Sequence, residues 1–390
     1  MQKSTLFLLA TFVLLALCDE DTVKIPMSKR ALNRDGLMKR REFIEKNAKL
    51  NAAKSFNPKF KASKNPRTGR FISTQFPSDY FLIDVDLGTP PQTFQVAVDS
   101  FHLSFWVLNT DYSGNVSESQ TLYNQTASST WSEIGDNYYY FYNTGYIFGS
   151  FDQDVFALGR LTYATQPFGS ISAIYDFFSS YPVDGFIGLG VPAPDDLEYH
   201  EMPLRNVADQ LKSPSYTIWL GNHVPPSAGT LDGLLTLGGA DNVNCLNDYN
   251  TVTQFYNDDF WVWLFSVDSV QIGKYQDEVK HFGYINVGSP VISVPQSEFS
   301  RILKILNPSY DSSKIVCQWL LQQILELGIY YLPCKDAYEA PDITLTIGGK
   351  DYVVPGRNYI VDILGTPFMQ AFCTQVDFQN HKVTFSTAKH

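Results

Sequence analysis

A mostly β, two-lobed chain around a central cleft is what this sequence predicts, on three observations. The 390 residues include 28 Phe, 23 Tyr, 25 Gly and 21 Pro, a composition that favours strands and turns over helices. Apolar and polar residues alternate through Tyr80–Leu87, Thr93–Val98 and Lys382–Ser386, with turn signals at Gly88–Pro91 and Gly348–Gly349. A strand ending in a carboxylate or its amide, followed much later by an apolar strand ending in glycine, occurs once in each half. Helical periodicity is sparse and is expected at Leu204–Leu211, Glu298–Leu306 and Cys317–Leu327.

The elements follow in chain order. Lys3 precedes an apolar run from Leu6 to Leu17, and Ala16-Leu17-Cys18 supplies small residues before Asp19. The run is too short to span a bilayer, so residues 1–18 read as a secretory signal. Residues 19–70 carry 15 Lys+Arg against 6 Asp+Glu, a balance of +9, whereas residues 71–390 carry 13 against 34, a balance of −21. Residues 19–70 are poor in strand formers, and a helix is expected around Arg40–Ala53. A basic segment tethered to an acidic body lies on it at neutral pH and loosens as acid neutralises the carboxylates. Residues 19–70 are therefore propeptide-like.

Residues 71–255 then form an N-terminal β lobe and residues 256–390 a C-terminal one. A net charge of −11 argues against nucleic acid as a partner, and 18% charged residues argue against a long coiled coil. Past the signal, Cys245, Cys317, Cys334 and Cys373 remain. An even number in an oxidising compartment suggests two disulfides in one of three pairings, or one bridge and two buried thiols. Asn115-Val-Ser117 and Asn124-Gln-Thr126 match the N-glycosylation rule.

The internal repeat carries the candidate site. Asp99 in Val98-Asp99-Ser100-Phe101-His102 is followed 89 residues later by Gly188 of Asp184-Gly-Phe-Ile-Gly-Leu-Gly190. Asn286 in Ile285-Asn286-Val287-Gly288-Ser289 is followed 79 residues later by Gly365. Each glycine lets backbone pass close to the loop bearing the polar residue. Facing lobes would bring Asp99 and Asn286 together.

With these motifs, Leu87–Phe94, Leu103–Val107, Ser128–Trp131 and Tyr142-Asn-Thr-Gly145, the chain resembles the pepsin-like aspartic peptidases over most of its length. The resemblance implies the bilobal acid-protease fold, no cofactor, a peptide or protein in the cleft, a monomer, and an extracellular or lysosomal destination. It implies that Asp99 and position 286 are the catalytic pair, and that Ser100 and Gly288 support them. Tyr142 and Trp106 are then the aromatic pair that closes over bound peptide. That family's chemistry needs two carboxylates about 3 Å apart sharing one proton, since both cannot ionise so close together.

Here the residues depart from the pattern. Asn286 is an amide and cannot carry the shared proton. Val287 lacks the hydroxyl that Ser100 retains, and Phe101 stands where the family has glycine, so it either strains the backbone or fills the water site. His102 can pair with Asp99 near neutral pH. No further ligands at suitable spacing support a metal. The second lobe is shortened before Asp362–Gly365, and Cys334 resembles half of a late disulfide whose partner would be Cys317, Cys245 or Cys373. Three functions follow: an acid endopeptidase, a non-catalytic relative whose cleft binds a peptide or partner, or a secreted protein keeping only the fold. Loss of one carboxylate favours the second and third.

Overall fold

The computed structural model describes residues 22–31, 79–142, 145–176, 183–191, 202–221, 232–257, 260–278, 280–287, 304–305, 318–319, 330–331, 339–356 and 367–390. In chain order the strands are β1 (Val23–Ala31), β2 (Asp79–Leu87), β3 (Gln92–Asp99), β4 (Phe105–Leu108), β5 (Ser132–Tyr142), β6 (Gly145–Leu158), β7 (Leu161–Asp176), β8 (Gly185–Gly188), β9 (Ser215–Leu220), β10 (Gly233–Leu237) and β11 (Asn250–Thr253). Then come β12 (Phe255–Asn257), β13 (Phe260–Val267), β14 (Ser269–Ile272), β15 (Tyr275–Asp277), β16 (His281–Tyr284), β17 (Gln318–Trp319), β18 (Tyr330–Tyr331), β19 (Ile343–Ile347), β20 (Lys350–Val354), β21 (Phe372–Asp377) and β22 (Lys382–Thr387). The protein is mostly β, as expected.

One large sheet runs β11-β22-β21-β9-β10-β1-β2-β3-β8-β4-β7-β6-β5. Two smaller sheets, β12-β13-β16 and β15-β14-β19-β20, belong to the second half. The chain's last strands thus return to the large sheet, which carries strands from both sides of residue 255. Gly348 and Gly349 both adopt positive φ (57° and 75°) and close the two-residue β19–β20 turn, the conformation a tight hairpin requires.

β1 corrects the expectation for the basic segment. Val23–Ala31 pairs with β10 through residues 23–27 and with β2 through residues 28–31. Val23, Ile25 and Met27 are buried, while Pro26 and Ser28 are exposed. That is a period-2 pattern, which the segment's Lys- and Asn-rich composition hid. Pro26 lies in the half paired on one side only, where its missing N–H is tolerated. The helix expected around Arg40–Ala53 lies outside the described residues.

Other expectations divide similarly. The helix expected at Leu204–Leu211 is replaced by the short helix Pro203–Asn206, which begins one residue earlier, and the 3-10 turn Ala208–Gln210. The helix expected at Cys317–Leu327 is not borne out at Gln318–Trp319, which forms β17 against Tyr330–Tyr331. The aromatic Trp and Tyr pair suits a ladder better than a helix. Of Glu298–Leu306, only Lys304–Ile305 is described, and it is helical.

β2 and β3 explain where the site sits. Phe81, Ile83, Val85, Phe94, Val96 and Val98 enter one core cluster, while Leu82 and Ala97 enter a second on the other face. Burial on both faces accounts for Ala97 breaking the alternation just before Asp99, in Val96-Ala97-Val98.

Cys245 and Cys373 form a disulfide that links β21 to residues 128 positions earlier, packed with Trp219 and Leu234. That removes both from the candidates for Cys334, which lies outside the described residues with Cys317. If residues 1–18 are removed as a signal and the chain carries two bridges, the second joins Cys317 to Cys334. Peptide mapping without reduction should find a cross-linked Cys317/Cys334 peptide and no free thiol.

Asp248 holds the end of β22. It accepts from the Thr387 N–H (2.8 Å) and hydroxyl (2.7 Å) and pairs with Lys350 Nζ (2.9 Å). Burial alone pushes this carboxyl up, but the Thr387 donors and Lys350 outweigh it and hold it down at about 2. A depressed value means the stabilisation is present above about pH 4 and lost as pH falls towards 2. Asp248→Asn should therefore lower the melting temperature at pH 6, and the gap to the unaltered chain should close between pH 4 and 2.

Candidate active site

Asp99 ends β3 and is 2% exposed. The parallel β3–β8 register sets Asp99 opposite Gly188, as the repeat anticipated. A Cβ on Gly188 would lie 2.3 Å from the Leu103 carbonyl carbon and 2.6 Å from the His102 oxygen, so only glycine fits. The Leu189 N–H donates to the Asp99 carbonyl (2.7 Å) and the Gly190 N–H to that of His102 (3.0 Å), fixing the loop against β8.

The Asp99 carboxylate is heavily engaged by its own loop. Oδ1 accepts from the backbone N–H of Phe101 (2.8 Å) and His102 (3.2 Å). Oδ2 lies 2.7 Å from His102 Nδ1. With Asp99 ionised, the proton of that contact belongs to Nδ1. Phe101 brings none of the backbone strain considered above, because His381 is the sole non-glycine residue at positive φ among the described residues. Its amide can still turn inward towards Asp99.

The second loop meets the first through Ser100. The Val287 N–H donates to Ser100 Oγ (2.9 Å), and that hydroxyl donates to the Ile285 carbonyl (3.3 Å). Ser100, Ile285 and Val287 are all buried. These two bonds bracket Asn286, so the residue after Asp99 grips both neighbours of Asn286 across 185 positions of sequence. Val287 has no hydroxyl with which to reciprocate, so the link is one-sided.

Rings close around the loop. Phe101 meets His102 edge-on (4.9 Å) and Tyr284 at the end of β16 (5.6 Å). Tyr140, on β5, meets the imidazole edge-on at 5.7 Å. Burial pushes the Tyr284 hydroxyl up to about 12, so it stays protonated at acid and neutral pH.

Trp106 is 1% exposed and stacked on Phe186 (5.1 Å) in a cluster with Tyr138. It backs the β5–β6 hairpin from the core. Tyr142 pairs with Gly145 at the end of that hairpin, and its side chain lies outside the described residues, as do Gly288 and Gly365.

Asp184 accepts from the Gln95 N–H (2.7 Å) and the Thr121 N–H (2.9 Å), a structural role. Asp268 accepts from the Gly349 N–H, and Asp277 meets His281. Neither is part of the loop. Among the described residues no group of His, Cys, Asp or Glu could hold a metal. Asn115 is exposed, whereas Asn124 is half-buried and its Oδ1 accepts from the Thr126 N–H, capping a short 3-10 turn.

Two site residues escaped the sequence reading. Tyr140 was legible, since it shares the period-2 parity of Tyr142 in Tyr138–Tyr142. Tyr284 carried no local signal, because its role depends on the second loop docking beside Phe101.

The comparisons with known proteins agree with this architecture. A family model described as eukaryotic aspartyl protease matches residues 80–362. Aspartic protease 1 of Caenorhabditis elegans is 27% identical, with 97% of this chain and 99% of that protein covered. Gastricsin of Cavia porcellus is 24% identical, covering 98% and 99%, and renin of Ovis aries is 25% identical, covering 83% and 84%.

Proposed function

Because the chain belongs to the eukaryotic aspartyl protease family, we propose that it keeps the family's peptide-binding cleft and has lost, or nearly lost, hydrolysis by paired carboxylates. The observation that carries this is the Ser100 clasp. It joins the residue after Asp99 to both neighbours of Asn286, an amide, while His102 and two backbone amides bond the Asp99 carboxylate. An amide in place of the second carboxyl cannot share a proton with Asp99, and residues acting as a unit fail together.

The same reading takes residues 1–18 as a secretory signal, residues 19–70 as a propeptide and Asn115 as a glycan acceptor. The Cys245–Cys373 bridge suits an oxidising compartment. No helix among the described residues is long and apolar enough to cross a membrane.

Purified, acid-treated protein should leave denatured haemoglobin and a quenched peptide uncut at about pH 3–5, where a carboxyl pair would share its proton. Cleavage abolished by a pepstatin-type inhibitor would refute the reading. Tight inhibitor binding without turnover would identify a working cleft, and no binding would leave only the fold.

A further inference from the structure

Among the described residues, β5 is the longest strand at the edge of a sheet. It ends the large sheet and pairs with β6 alone, over its 11 residues Ser132–Tyr142. Every other described edge strand has at most 5 residues, the longest being Lys350–Val354. Folded proteins blunt exposed edges with short strands, Lys, Pro or bulges. β5 holds no Lys, Arg or Pro, and its one register shift falls between Glu133 and Asn137. Asn137–Tyr142 therefore runs in unbroken register with β6, and no described strand pairs with its other side.

The two faces of this segment differ. Tyr138 and Ile147 are buried in the second core cluster, with Tyr140 packed against it. The opposite face is a row of rings turned to solvent. Tyr139, 54% exposed, packs on Phe148 (4.8 Å), and Tyr175, 49% exposed, stacks on Tyr146 (4.5 Å). Rings scattered singly would need no partner, but a row of them beside an open ladder marks a docking surface. Charge selects the occupant. β5, β6 and β7 contain 5 Asp and Glu and no Lys or Arg. Tyrosine faces attract ammonium and guanidinium groups, whereas a second copy of this hairpin would set acid against acid.

We infer that the outer edge of β5 is a docking site for an extended segment of another protein bearing Lys or Arg, which adds as a strand beside Asn137–Tyr142. Main-chain hydrogen bonds supply the affinity, and every second side chain of the added strand lies on the solvent face, where a cation meets Tyr139. The surface is distinct from the Asp99 loop, because Tyr140 meets His102 from the inner face. The inference therefore stands whether or not hydrolysis is lost.

The test titrates labelled peptides of about eight residues, alternating Lys with Val or Glu with Val, into the full-length protein near neutral pH, with hydrogen exchange followed in parallel. The Lys peptide should bind at least about tenfold more tightly than the Glu peptide at low salt, the scale of a cation–π contact within an acidic field. Raising salt to about 0.5 M should remove most of that difference. Exchange should slow at the outward amides of Asn137–Tyr142 when the Lys peptide binds. Tyr139→Lys, an exposed change that places a like charge on the edge, should weaken the Lys peptide by at least about tenfold, and Tyr139→Phe should keep its affinity. No binding of either peptide, equal binding of both, or binding without slowed exchange at Asn137–Tyr142 overturns the inference, whatever the variants do. Binding untouched by Tyr139→Lys overturns it as well. Self-association that slows the same amides without peptide and disappears in Tyr139→Lys overturns it in favour of a second copy.

Discussion

On the proposed reading, a second acid restored at position 286 alone is expected to return almost no proteolysis. Asn286→Asp puts a second carboxyl on the loop that Ser100 clasps, but Asp99 Oδ2 remains bonded to His102 Nδ1. An imidazole competes for the proton that the two carboxyls must share. Phe101 still packs against Tyr284 and His102 above the pair, and Val287 still lacks a hydroxyl to answer the clasp. The single variant should therefore stay within about tenfold of the unaltered protein on a quenched peptide at acid pH, because parts of one catalytic unit do not contribute separately. Asn286→Asp combined with Phe101→Gly, His102→Ser and Val287→Thr should exceed the single variant by at least about 100-fold, the scale on which one positioned acid or base contributes. A single variant as active as the combination would show that the loop's own residues are no obstacle.

The second large effect concerns β1. Met27 is 1% exposed, in the core cluster with Val23 and Ile25, and its tip would meet any side chain added at Gly233. Ser28, the next residue, is exposed. Met27→Ala should cost about 2–5 kcal/mol of unfolding free energy in urea, the range for truncating a buried Met. Ser28→Ala should stay within about 0.5 kcal/mol, as surface changes do. Two equally small effects would mean that the strand does not occupy the sheet in solution. The contrast also bears on the proposed propeptide role of residues 19–70. Ladder hydrogen bonds and apolar burial do not titrate, so acid can loosen the charged remainder of the segment without withdrawing β1.

Much of this was readable in the chain because it depends on local rules. Alternation in Tyr80–Leu87 and Thr93–Val98 reports a strand wherever the strand ends up. Gly188 was legible because the steric demand of one backbone passing another admits a single residue type. The departure at Asn286 needed only the knowledge that an amide does not titrate. The short Val23–Met27 alternation was equally local, yet it was lost when the basic segment was judged by average composition.

What lay beyond the sequence was partnership across distance. The four cysteines past residue 18 permit three pairings, and only the return of β21 to the large sheet sets Cys373 beside Cys245. Trp106 belongs to a motif that suggests a ligand contact, and its burial follows from how β4, β7 and β8 stack. The Ser100 clasp joins residues 185 and 187 positions apart, and nothing in either loop alone announces it. By itself the sequence determined most of the strands, the glycine crossing and the amide at position 286 on which the proposed loss of activity rests, since neighbours along the chain govern these. Tertiary structure decided which groups touch Asp99, because a hydrogen bond exists only when the fold brings donor and acceptor within about 3 Å.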